Sequence, residues 1–519
     1  MKNKYGSFLS KTLKCKKAAA LFVSAVMIFS CTVTAAAAEN SSQLGAAAKS
    51  VSQKRANPAE VIFNKDVCDT YSGAYNEIVN GLKSVKGSID ISKYNVKTSD
   101  VSALYHGAVM SNPELFYVNT SFSYSYSGNS VYRITASYSA DTAEIKRMTT
   151  RFNNEADRVL SLVNDSMSDA EKAVVIHDEL ALSCSYSTND FTKANAYDAL
   201  VDGSAVCQGY SLAYSYLLSL SGIKTELVES SSMNHMWNRV LIDGSWYNVD
   251  LTWDDPVYDR PGHVSHKYFL LSDSEIQSIS KPHYGYSAYY SANSKKYDKY
   301  LVHEFNTRLC NLSGRYYAVS GSSYSYSIVR YNLDTDAVKV IKKLDFRWSA
   351  GGNSYWVGTF SSLEAKDGLL YYNSDKSIYS YDIGANRQTT FVENALGDNA
   401  ASGESCYGFV FRNDNVYSSV SATPNNTGRL VLVKSGEKAA VAVGVIDYVD
   451  VGDNSNQLVM YGDVDCNGII NIIDATLVQK VVVGISRLTS VETIIADVND
   501  DGKITITDST KILRYIVGL

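Results

Sequence analysis

The sequence predicts a multidomain protein: an α+β core with an α+β N-terminal extension, then an all-β module, then a small all-α module built on two cation-loop motifs. Three observations predict it. The chain has 519 residues, several times what one hydrophobic core organises. Helical spacing dominates the first half and gives way to repeated strand–turn–strand patterns over residues 300–447. Residues 461–519 hold two copies of an Asp/Asn/Gly loop, 34 residues apart, each followed by a helical stretch. Composition is that of a folded protein, 45% hydrophobic and 20% charged.

Residues 1–38 read as a secretory signal. Lys2, Lys4, Lys11, Lys14, Lys16 and Lys17 precede the apolar run "AAALFVSAVMIF" and a small-residue tail, with cleavage expected after Ala38. The alternatives are retention of the run as a membrane anchor and lipidation of Cys31, which Phe29 serves poorly. Cleavage removes six lysines and no acid, so the formal net charge goes from −6 to −12. Such a chain repels phosphate backbones and is not expected to bind nucleic acid. Cys68, Cys184, Cys207, Cys310, Cys406 and Cys466 remain, with neither zinc-like spacing nor a disulfide framework. Unpaired thiols in a secreted chain fit oxygen-poor surroundings or a thiol kept for chemistry.

Residues 39–57 are small and polar, a linker. Residues 58–166 form the N-terminal extension, with helices over "SGAYNEIVNGLKSV" and "TAEIKRMTTRFNNEADRVLSLV" around the alternating "SFSYSYSGNSVYRITASYS". The core, 167–295, opens on a helix whose Ser168 and Glu171 make a capping box. A second helix, "CQGYSLAYSYLLSLSG", stops at Gly222 and puts Cys207 in its first turn. Amides at a helix start favour a thiolate there, although a cysteine in that position also packs as an ordinary apolar residue. In "NHMWNRVLIDGSWYNVDLTWDDP", Asp243-Gly244 signals a hairpin. A two-residue loop pairs Trp237 with Asp250 and His235 with Thr252, so His235, Trp237, Asp250 and Trp246 project to one face. His235 and Asp250 are then diagonal neighbours, within about 7 Å at Cβ. Thiolate, imidazole and orienting carboxylate together describe nucleophilic acyl transfer.

These stretches, with "AYDALVDGSAVCQGYSLAYSYLLSLSGIKTELV" and "HKYFLLSD", resemble the bacterial transglutaminase-like cysteine-enzyme core over roughly 167–275. The resemblance implies a papain-like α+β fold and a triad of Cys207, His235 and Asp250, with no cofactor. Animal-type members use an upstream tryptophan to hold the oxyanion. Here the first tryptophan is Trp237, after the cysteine. The Cys207 amide supplies one oxyanion donor and Tyr197 is the candidate for a second, packing being its alternative. The reaction expected is thioester acyl transfer on a protein or peptide carboxamide or peptide bond. Water or an amine then resolves the thioester, giving a peptidase, a deamidase or a cross-linking enzyme.

Residues 300–447 contain three similar pieces, 315–341, 368–392 and 407–433. This is fewer than the blades a propeller needs, hence an irregular β-module. Its Tyr–Ser alternation suits either a polysaccharide- or peptide-binding face or half-exposed strands. Residues 448–460 read as a linker. In 461–519, Asp463, Asp465, Asn467 and Asp474 fall at loop positions 1, 3, 5 and 12, with the Ile469 carbonyl between. The second copy has Asp497, Asn499, Asp501 and Asp508, with the Lys503 carbonyl. Two Ca²⁺ ions are expected.

This tandem loop–helix pair resembles a type I dockerin. The resemblance implies a cohesin domain of a scaffold protein as partner, in a cellulosome-type assembly outside the cell. Ile472, Ile473, Ile506 and Thr507 are either cohesin contacts or core. The protein is expected to be monomeric apart from docking. The alternative is a non-catalytic component of the same scaffold complex taking part in polysaccharide degradation. No carboxylate pair stands in a glycosidase setting.

Overall fold

The computed structural model describes residues 58–516 apart from 257–258, 323–324, 413–414, 426–427, 436–442, 445, 451–455, 467–469 and 500–501. The expected signal (1–38) and linker (39–57) lie outside the described residues. No helix among the described residues is long and apolar enough to cross a membrane.

The core is a helix laid across a four-stranded sheet. Ser168 caps the helix Asp169–Ser183, and Glu171 returns the bond to the Ser168 amide, completing the expected box. The helix Cys207–Leu220 starts on the cysteine itself. The sheet runs Val61–Ile62, Thr225–Ser230, His235–Ile242, Ser245–Val249, parallel in the first pairing and antiparallel after it. Asp243 and Gly244 have φ of 50° and 75°. These left-handed values suit a two-residue turn matched to strand twist. The turn sets Ser245 opposite Ile242 and Trp246 opposite Leu241, the register read from the sequence. Pairing stops at Val249, however. Asp250 is not a strand residue but the N-cap of a short helix, Leu251–Asp254.

Buried polar contacts fix the helix on the sheet. Ser211 Oγ donates to the Met236 carbonyl at 3.1 Å. Asn238 Nδ2 donates to the Ser211 carbonyl at 3.0 Å and to Ser215 Oγ at 2.8 Å. Each satisfies a polar group that would otherwise be stranded in the interior. Together they hold the start of one element beside the start of the other, which brings residues 207 and 235 together. Gly209 belongs to the same close fit. A Cβ there would fall 2.9 Å from the Asn195 carbonyl oxygen and 2.7 Å from Ala205 Cβ.

Residues 58–166 share this core rather than forming a separate one. Phe152 stacks on Tyr216 at 4.7 Å and meets Phe116 at 4.8 Å. One hydrophobic cluster runs from Val61 to Leu333. The boundary expected at 166 is therefore not a boundary in packing, because each side covers the other's apolar face.

The three expected β-pieces are antiparallel meanders. Two sit in four-stranded sheets (310–344 and 363–392) and one in a three-stranded sheet (405–434). Tyr316, Tyr317, Tyr331, Tyr371, Tyr372, Tyr381 and Tyr407 are buried. Those tyrosines fill cores and do not form a binding face. The stretch expected as a linker, 448–460, contributes to a ribbon of Ile446–Asp450 with Asn456–Met460. The C-terminal module packs helices Ile472–Val482, Ser490–Ala496 and Ile506–Ile516 on Val464, Ala475, Val478, Val498 and Ile512. The helix Ile472–Val482 opens on a capping box of Asn471 and Asp474.

A buried polar cluster joins core to β-module. His177 Nδ1 bonds Asp178 Oδ1 at 2.9 Å, and its Nε2 lies 3.3 Å from Asp254 Oδ2. His266 Nε2 bonds the same Asp178 oxygen at 2.8 Å, and Leu309 N–H donates to Asp178 Oδ2 at 2.7 Å. Burial pushes the His177 pKa down, but the two carboxylates outweigh it and raise it from 6.5 to about 9. Burial likewise opposes the Asp178 charge, and the two imidazoles overcome it and hold the carboxyl well below its usual range. The stability from His177 is full below pH 6.5 and lost as pH rises through about 9. That from Asp178 is present above pH 3.8 and lost on acidification below it. Asp178→Asn, which leaves a buried cation short of its partner, is expected to cost about 3–5 kcal/mol. Denaturant melts at pH 7 check this.

Candidate functional site: a thiol, two imidazoles and a carboxylate

Cys207 is a free, partly buried thiol. The preceding Val206 is extended and offers no side-chain cap, so the first amides of the 207–220 helix keep no side-chain acceptor. Gln208 Nε2 donates to the Ala194 carbonyl, and Val206 N–H to that of Lys193, pinning the adjoining loop. Burial pushes the other thiols up, Cys68, Cys406 and Cys466 to about 11 and Cys184 and Cys310 further. Those five are inert by this criterion.

His235 is the first residue of its strand, after Asn234 in a left-handed turn conformation (φ 48°). Its Nε2 bonds Asp250 Oδ2 at 2.7 Å, and the Cys207 side chain lies within electrostatic reach of the ring. The ring lies between Trp253 (5.1 Å, 22°) and Trp237 (5.9 Å, 21°). Burial opposes its charge, but Asp250 and then Cys207 raise the imidazole pKa from 6.5 to about 10. Asp250 is fully buried. Burial works against its charge too, yet the imidazoles hold its carboxyl down at about 2. Its Oδ1 caps the short helix through Trp253 N–H at 3.2 Å. The sequence pairing expects Asp250 near His235, and it reaches His235 from a helix N-cap rather than from a strand.

Two residues differ from expectation. Tyr197 is 5% exposed and packs against Phe116 at 4.9 Å and Phe152 at 6.4 Å. Its helix, Ala196–Leu200, turns the ring into the aromatic core, and its hydroxyl feels Arg151, Asp202, Glu144 and Asp198. Tyr186 instead is within electrostatic reach of Cys207 and Asp250. Burial and then those two charges raise its hydroxyl pKa. The second surprise is His283, whose Nε2 bonds Asp250 Oδ2 at 2.8 Å. It lies 33 residues past Asp250 with no periodic pattern around it.

Ligand-type atoms of His235, Asp250 and His283, and of His177, Asp178 and His266, gather within 4.8 Å. Within each set the nitrogen–oxygen separations are 2.7–2.9 Å, hydrogen bonds onto one shared oxygen. In the C-terminal module, Asp463, Asp465 and Asp474 each bring a carboxylate oxygen within 4.8 Å of the others. Burial, and in part the Asp465 charge, raises the Asp474 pKa against its backbone hydrogen bonds. In the second loop Asp497 Oδ2 accepts from Gly502 N–H at 2.7 Å. Asp508 Oδ1 is buried with no hydrogen-bond partner. Crowded carboxylates and an orphaned carboxylate oxygen fit a hard cation with oxygen ligands. Asn467, Ile469 and Asp501 lie outside the described residues.

Residues 156–251 match the transglutaminase-like superfamily model, and residues 461–517 match the dockerin type I domain model. A search of the curated proteins finds no match. Among solved structures, similarity is found to a TGase crystal structure (13% identity, 26% of this chain and 44% of that one, TM-score 0.19). It is also found to a candidate protease from Parabacteroides distasonis (10% identity, 26% and 39%, TM-score 0.15). The chain thus spans less than half the length of either structure. Cysteine, histidine and aspartate gathered on a helix start, a strand start and a helix cap, ahead of paired acidic loops, accompany what the two models identify: a transglutaminase-like core joined to a type I dockerin.

Proposed function

We propose that the 167–295 core is a papain-like cysteine acyltransferase or peptidase working through a Cys207 thioester. Its substrates are protein or peptide carboxamide or peptide bonds. The observation that carries this reading is the 2.7 Å His235–Asp250 bond, with Cys207 at a helix start within electrostatic reach of the same imidazole. With Nε2 committed to Asp250, Nδ1 serves the sulfur. The thiolate attacks the carbonyl carbon, and the Cys207 amide holds the oxyanion. The C–N bond breaks as the imidazolium Nδ1–H protonates the departing nitrogen. Water or an amine, deprotonated by the neutral imidazole, then attacks the thioester and regenerates the thiolate.

The chain is secreted through residues 1–38 and docks on a cohesin of a cellulosome-type scaffold. Asp463, Asp465, Asn467, Asp474 and the Ile469 carbonyl would hold one Ca²⁺. Asp497, Asn499, Asp501, Asp508 and the Lys503 carbonyl would hold the other. The ion supplies the positive charge that lets these carboxylates converge. Ile472, Ile473 and Ile506 are 59%, 58% and 56% exposed, which favours contact with a partner over packing in the module's core.

Mass spectrometry of proteins incubated with the enzyme, with and without a primary amine, tests the chemistry. Incorporated amine or new termini, lost in Cys207→Ser, are expected. Unmodified proteins in both arms would remove the enzymatic reading.

A further inference from the structure

Asp250 Oδ2 is shared. It receives His235 at 2.7 Å and His283 at 2.8 Å. The His283 side chain is wholly buried. Its ring is boxed by Trp253 at 4.3 Å, Trp237 at 4.7 Å and Tyr268 at 5.5 Å, and its main-chain N–H is tied to the Ile276 carbonyl at 3.0 Å. Its Nδ1 is buried and has no hydrogen-bond partner. A proton on that nitrogen would be a donor without an acceptor in an apolar box, a costly arrangement. The ring is therefore the neutral tautomer with its proton on Nε2, aimed at the carboxylate.

We propose that His283 is a positioning residue of the Cys207 site: as a fixed neutral donor to the oxygen that also receives His235, it holds Asp250 as an anion aimed at that imidazole. The inference rests on the cysteine-enzyme reading above. The titratable groups facing the ring are Asp250 from the helix cap, His235 from the strand start and Tyr268 from the segment before the 273–276 helix. Removing the donor lets the Asp250 carboxylate turn away from His235, so the imidazolium beside the thiolate is less favoured. The acid limb of thiolate reactivity then moves up.

The test is the pH–rate profile of Cys207 alkylation by iodoacetamide in the full-length protein and in His283→Phe, His283→Gln and His235→Ala. Phenylalanine fills the box without a donor, whereas the glutamine amide restores one near Nε2. His283→Phe is expected to react roughly tenfold more slowly, the scale of a hydrogen bond to a charged group, with its acid limb at higher pH. His283→Gln is expected to recover most of both. If both variants match the parent while His235→Ala is slow, the positioning role fails and the enzymatic reading stands. If the parent itself reacts no faster than a free thiol, both fall. ¹⁵N NMR of labelled histidine in the unaltered protein checks the same point without a substitution. A bare Nδ1 on His283 is expected, and a proton there would overturn the proposal.

Discussion

Replacing His235 with alanine is expected to lower turnover by roughly 10⁶-fold, about as much as replacing Cys207, because members of such a unit fail together. Each has one job the other cannot cover. Without the imidazole, the thiol has no cation beside it and the leaving nitrogen has no proton source. Asp250→Asn is expected to cost less, on the order of 10⁴-fold, since orientation is lost but nucleophile and acid remain. The pH dependence has a definite sign. His235 is raised from 6.5 to about 10, so the imidazolium that protonates the leaving group persists through neutral pH and is lost as pH passes about 10. Turnover is expected to fall on that alkaline limb. Asp250, held at about 2, stays ionised across the working range and adds no acid limb of its own. Steady-state kinetics from pH 5 to 11 on any substrate found by the amine-incorporation experiment would read both.

The second large effect lies at the C-terminus. Chelating divalent cations with EDTA is expected to abolish binding to a cohesin and to unfold residues 461–519, leaving the rest folded. The reason is electrostatic. Asp463 and Asp474 are buried with Asp465 beside them, and one Asp508 oxygen has no hydrogen-bond partner. Without a cation these groups repel or stay stranded, so the free energy of ion binding is also that of folding. Asp474→Ala and Asp508→Ala are each expected to weaken Ca²⁺ affinity by more than ~100-fold, since even outer partners of metal ligands are worth ~10–100-fold. Calorimetric Ca²⁺ titration checks the affinities, and scaffold pull-down with and without EDTA checks the docking. Binding that survives EDTA would refute the loop assignment.

Local signals in this sequence carried far. Asp243-Gly244 is a turn whose chemistry dictates its backbone, so the hairpin register is legible from the sequence and holds from Ser245–Ile242 to Val249–Asn238, although the expected pairs Trp237–Asp250 and His235–Thr252 do not form. Ser168 with Glu171, and a cysteine opening an apolar helical run, likewise fixed two helix starts. What was not legible depended on distant contacts. The sequence places Asp250 in the strand because nothing nearby says that pairing ends at Val249. His283 and the cluster of His177, Asp178 and His266 join residues 33 and 88 positions apart, beyond any local period. The tyrosine-rich strands looked amphipathic, yet Tyr372 and Tyr381 are buried because a neighbouring sheet covers them. The 448–460 stretch is polar enough for a linker, but its residues 448–450 and 456–460 belong to an antiparallel ribbon instead.

The central claim is a thiolate–imidazolium pair at the start of the 207–220 helix. Alkylation of the full-length protein with limiting iodoacetamide, followed site by site by peptide mass spectrometry across pH 5 to 9, tests it most directly. The account predicts that Cys207 alone is labelled rapidly at the acid end, ahead of the partly buried Cys68 and Cys466 and the buried Cys184, Cys310 and Cys406, and that His235→Ala removes the advantage. Labelling of Cys207 that tracks an ordinary thiol, or that is unchanged in His235→Ala, would contradict it.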